Sequence, residues 1–80
     1  MYVITADVRH DPNSPLVPSF LAFDTALDKA IWDDDRAEFF NSYQNAWMFV
    51  DDCVDGRVSC SFCYEVKNIK VKEIKIFDVS

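Results

Sequence analysis

The side chains in this 80-residue sequence best suited to chemistry are three cysteines and one histidine. Cys60-Ser61-Phe62-Cys63 spells the C-x-x-C spacing of metal knuckles and dithiol redox motifs. Cys53 and His10 would complete a Cys3His zinc set of acceptable ligand types. The setting argues against both uses. Residues 57–66 alternate with the period of a strand, and residues three apart on a strand point to opposite faces. Cys60 and Cys63 are then held apart, and the sequence has no second knuckle. Cys53 and Cys60 are therefore expected as small core residues. No metal or other cofactor is expected, and a zinc-stabilised small domain is the weaker alternative.

The other reactive groups are no more convincing. His10 lies in a proline-rich loop beside Asp11, and nothing in sequence orients it, so a surface histidine is expected rather than a general base. The single glycine, Gly56, excludes a glycine-rich phosphate loop. Asp33-Asp34-Asp35 offers carboxylates, but a calcium loop needs oxygens at alternate positions, a mid-loop glycine and a closing glutamate, and none follows. The chain is expected not to be an enzyme.

Eighty residues make one domain, spanning 1–80, and half of them are apolar, enough for a compact core. Tyr2, Ile4, Ala6 and Val8 alternate with Val3, Thr5, Asp7 and Arg9, which predicts a half-buried strand. Residues 10–18 hold three prolines and read as a loop, with a short second strand over Ser19–Phe23. Thr25 and Asp28 have the spacing of a capping box, ahead of a first helix carrying Phe23, Ala26, Leu27, Ala30 and Ile31 on one side. In the second helical pattern Phe39, Phe40, Tyr43, Ala46, Trp47, Val50, Cys53 and Val54 fall within an arc of roughly 140°. Gly56 stands where a glycine ends a helix. Continued as one helix, the two apolar arcs would oppose each other, so the aspartate triplet is expected as a break between two helices. Residues 57–66 then predict a strand, Lys67-Asn68 a hairpin turn, and Ile69 onward a return strand. A shift of apolar parity to Ile74 and Ile76 suggests a bulge near Lys72-Glu73. The expected fold is α+β, a small antiparallel sheet of three to four strands, order β(β)ααββ, with two helices packed on one face.

Net charge is −6, unevenly spread. Residues 24–55 carry nine acidic groups against Lys29 and Arg36, whereas Arg57, Lys67, Lys70, Lys72 and Lys75 make the C-terminal part basic. An acidic middle repels phosphate and favours a basic protein surface as partner. Lys70, Lys72 and Lys75 have only Tyr64 and Phe77 near them to stack bases, so they read as guards of an edge strand and direct nucleic-acid binding is not expected. No apolar run approaches the ~20 residues that span a bilayer, and no secretory signal opens the chain, which predicts a cytoplasmic protein without membrane contact.

Met48 and Phe49 are the apolar residues out of phase, projecting among Glu38, Asn45, Asp52 and Asp55. An aromatic ringed by polar groups has the composition of an interface anchor. The competing reading is that a loop, such as residues 10–18, folds over and buries them. The expected partner-binding residues are Glu38, Asn45, Met48, Phe49, Asp51, Asp52 and Asp55, with Asp33, Asp34 and Asp35 adding charge. They suit an acidic inhibitor that occupies a basic, nucleic-acid-binding surface of a larger protein. A structural homodimer, acidic helix against basic strand, is the alternative. In size, charge and lack of motifs the chain resembles the phage-encoded inhibitors of bacterial defence, including anti-CRISPR proteins. That likeness is one of character, implies a host-cytoplasmic setting, and carries over no functional residue.

Overall fold

The computed structural model describes residues 1–75. The strand β1 (Tyr2–Arg9) forms where alternation predicts it, with Val3, Ile4 and Val8 fully buried. β2 (Val17–Asp24) returns antiparallel to it, with Thr5 opposite Phe20 and Val8 opposite Val17.

The expected first helix does not form. Asp24 Oδ1 accepts the N–H groups of Ala26 and Leu27 at 3.0 and 3.2 Å, and Asp28 takes φ 54°. These groups close a hairpin, and the chain returns as β3 (Lys29–Asp33), placing Trp32 opposite Leu21 and Ala30 opposite Phe23. The capping-box spacing misled because the side-chain oxygen of an aspartate captures the same backbone N–H groups in a turn as in a helix cap. Cross-strand apolar pairing then favours the strand over a short helix. The aspartate triplet accordingly ends a strand and does not separate two helices.

Registered pairing between β1 and β2 ends at Thr5–Phe20, and residues 38–40 bond to both strands beyond it. Tyr2 and Phe40 exchange both backbone hydrogen bonds at 2.9 Å, and the Glu38 N–H donates to the Leu21 carbonyl at 3.0 Å. Glu38, Phe39 and Phe40 therefore precede the helix they were expected to begin. The single described helix, α1 (Tyr43–Val54), starts at Ser42, whose hydroxyl accepts the Asn45 N–H at 3.0 Å. It stops as expected at Gly56, which adopts φ 79°. Gly56 N–H donates to Cys53 and Arg57 N–H to Asp52, the paired bonds of a glycine-terminated helix.

Residues 57–64 are irregular where a strand is expected; they make one parallel bridge, Cys60 to Ala30, at the outer edge of β3. β4 (Glu65–Glu73) runs unbroken through Lys67-Asn68, pairing antiparallel with β1 from Arg9–Glu65 to Tyr2–Glu73. Asn68 does take a positive φ, 58°, but as a bulge: Thr5 faces Lys70 while Asp7 faces Lys67, one extra residue on β4. The Asn68 amide donates to Asp7 Oδ2 at 3.0 Å. The irregularity expected near Lys72-Glu73 lies here instead, and the expected positions of Ile76 and Phe77 fall outside the described residues. The result is an α+β fold, a four-stranded antiparallel sheet in the order β3-β2-β1-β4 with one helix against it.

Ala46 and Val50 of α1 pack on Ile4, Leu21 and Ala30. Phe40 leans over the helix and meets Phe49 with ring centroids 5.4 Å apart. The inward arc is thus centred on Ala46, Val50, Cys53 and Phe49, a roll of roughly 60° from the one the apolar pattern predicts. Phe49 is half-buried and packs against the core, where the ring that meets it is Phe40. Met48 remains exposed. Phe49→Ala is expected to destabilise the fold by about 2 kcal/mol, below the range for fully buried phenylalanines because its site is half-open. Met48→Ala should change stability by no more than about 0.5 kcal/mol. Urea denaturation of both variants checks this; an unchanged midpoint for Phe49→Ala would remove Phe49 from the core.

Candidate functional site

Three groups of side chains merit consideration: the aspartate turn, the thiols with His10, and the outer side of α1. The aspartate turn follows β3. Asp33 Oδ1 accepts the N–H of Asp35 at 2.7 Å and of Arg36 at 3.3 Å, while Oδ2 meets the Arg36 guanidinium at 3.2 Å. Ligand oxygens of Asp33, Asp34 and Asp35 lie within 4.8 Å of one another, near enough to share a cation. Arg36 already provides positive charge to Asp33, and also approaches Asp24 at 3.8 Å. The Asp35 N–H, then Arg36, hold the Asp33 carboxyl below its ordinary pKa. A turn closed by its own side-chain bonds accounts for the triplet. It lies on a different element from the helix, and Glu38 lies beyond it on the bridging segment.

The soft ligands form two pairs. Cys63 Sγ is 3.9 Å from His10 Nδ1, and burial followed by the neighbouring Cys60 raises the Cys63 thiol pKa. An imidazole activating a nucleophile would lower it. Cys53 neighbours Cys60 across an apolar cavity, and burial, then Cys60, push Cys53 up to about 12. Among the described residues only the aspartate triplet brings three potential ligand side chains within mutual reach, so the Cys3His set is not assembled. Cys60 is exposed, contrary to its expected core role.

The outer side of α1 gathers half of the expected partner-binding residues. Asn45, Met48, Asp51 and Asp55 are exposed and Asp52 is half-buried. Asp52 and Asp55 clasp Arg57 at 2.8 and 2.9 Å, so their charge is partly neutralised, while Asp51 makes no ion pair among the described residues. The roll of the helix adds residues that the sequence pattern assigned to the core. Tyr43 and Val54 are 54% and 76% exposed, and Met48 is 55% exposed. Phe62 and Tyr64, within the segment expected as a strand, stand 84% and 55% exposed on the irregular stretch that follows the helix. Only the width of the apolar arc hinted at Tyr43 and Val54. Half-buried Trp47 stacks edge-on with Tyr43, and Tyr43 with Tyr2, at centroid distances of 6.2 and 6.1 Å. The surface combines aromatic and aliphatic groups with carboxylates and amides, the composition of a docking face with a polar rim.

The lowered Asp33 pKa has a testable consequence. A carboxyl depressed in the folded state stabilises it above the unfolded pKa, and that stabilisation is lost as pH falls through the folded value. Arg36→Ala should move the Asp33 midpoint, followed by carboxyl NMR, upward toward the ordinary value while leaving the turn's backbone bonds in place. A midpoint unchanged by Arg36→Ala would show that the guanidinium has no part in the shift.

No protein-family model matches this chain, nor does any curated protein or solved structure, so the functional reading rests on its own residues.

Proposed function

We propose that this protein is a small, acidic, non-enzymatic interaction module that docks the outer side of α1 on a basic surface of a larger protein. The carrying observation is the excess of apolar residues on the helix over the area the sheet covers. Tyr43, Met48 and Val54 are each more than half exposed along α1, and the carboxylate of Asp51 is exposed on the same helix. Exposing them costs hydrophobic free energy that burial in an interface recovers. The surrounding acids supply charge complementarity and faster association with a basic partner.

A surface that recognises a basic nucleic-acid-binding patch excludes nucleic acid from it, which makes the module an inhibitor. The overall character suits a phage-encoded anti-defence protein acting in the host cytoplasm. No described helix is long and apolar enough to cross a membrane. Asp33 to Asp35 and Glu38 add to the acidic field from outside the docking face, and Phe49 supports the helix from within.

Met48→Ala combined with Val54→Ser and Asp51→Lys should reduce capture of a partner from bacterial lysate at least tenfold, with little change in melting temperature. Wild-type capture should weaken at high salt, since exposed charge is screened. Undiminished capture by the triple variant would exclude this face. A second reading, the structural homodimer, draws on β4. This strand has no partner on its outer edge among the described residues and exposes Lys67, Lys70 and Lys72. A concentration-dependent dimer in sedimentation, abolished by Lys70→Glu, would favour it.

A further inference from the structure

Cys53 lies in the last turns of α1, and Cys60 at the point where the chain bridges Ala30 on the edge of β3. Both line one cavity of about 210 Å³ with Leu21, Trp32, Val50 and Ile69. Their backbones are independently fixed. Arg57 and Val58 N–H groups bond to the Asp52 carbonyl, Ala30 N–H to Ser59, and Ser61 N–H to Ala30. Cys60 is exposed and Cys53 half-buried, so one thiol meets solutes while the other waits behind it. Cys63 is paired separately with His10.

We propose that Cys53 and Cys60 form a thiol–disulfide exchange site, in which a small-molecule disulfide such as oxidised glutathione converts them to a bond tying the end of α1 to residues 59–61. Cys60 loses its proton to solvent and attacks one glutathione sulfur, forming a mixed disulfide and releasing one glutathione thiolate, which takes up a proton. Cys53 then loses its proton to solvent and attacks the Cys60 sulfur, releasing the second glutathione. Two protein thiols are oxidised to one disulfide, and one glutathione disulfide is reduced to two glutathiones. Partial burial and a raised pKa keep Cys53 from reacting first. Because the fold already holds both attachment points, the bond restricts mainly the unfolded chain.

The test uses the full chain and its Cys63→Ser variant, each incubated with oxidised glutathione, alkylated and mapped by mass spectrometry. The expected product is a Cys53–Cys60 linkage in both proteins, Cys63 alkylated in the wild type, no retained glutathione, and a melting temperature that rises on oxidation and returns with dithiothreitol. Glutathione retained on Cys60, a linkage involving Cys63, or a lower melting temperature after oxidation would each overturn the proposal. Its outcome is independent of whether the outer side of α1 binds a partner.

Discussion

The rest of the structure depends on the short insertion of residues 38–40 where β1 and β2 cease to pair. Ending their register at Thr5–Phe20 would leave the Leu21 carbonyl and the Tyr2 peptide groups without partners at the margin of the core. Buried peptide groups left unpaired cost far more than a good hydrogen bond contributes. Glu38 and Phe40 satisfy them through backbone bonds, which do not depend on side-chain identity. Phe40, fixed beside Tyr2 by these bonds, packs its ring on Phe49 of the helix.

The roll of α1 follows from that contact, and the surface follows from the roll. Ala46 allows close approach to the sheet, and Val50 and Cys53 complete the inward line. Every degree that brings Phe49 under Phe40 carries Tyr43 and Val54 outward. The fold thus gains an aromatic pair at the price of two exposed apolar side chains. The exposed pair therefore results from the way the core closes.

Legibility in the sequence tracked how local each determinant was. β1, the pairing of β2 with it, the helix and its glycine stop rest on alternation, helical period and cap chemistry, all confined to a few neighbours. β3 was missed because Asp24 and Asp28 shape a turn whose local spacing imitates a helix start. The roll of α1 could not be read because Phe40 and Phe49 meet through a segment whose position is set by Tyr2 and Leu21, remote in sequence. Lys67-Asn68 reads as a turn and Asn68 does take a positive φ, but only pairing across to Asp7 distinguishes a bulge from a turn. Within the candidate site, Met48, Asp51 and Asn45 were placed correctly on the outer side. Of the two readings open for Phe49, the structure has it half-buried against the core, and it exposes Tyr43 and Val54 from the expected apolar arc.

The position of β4 bears on the order in which the molecule assembles. β1, β2 and β3 are consecutive in sequence, joined by the proline-rich loop and the Asp24 turn, and can zip together locally. β4 joins on the far side of β1, bringing Glu73 opposite Tyr2 across nearly the whole described chain. Closing so long a loop carries its entropy cost before any contact rewards it, which slows folding relative to helical proteins of this size. Until that closure occurs, β1 has an unpaired edge, and the half-built sheet is the species most exposed to pairing with other chains.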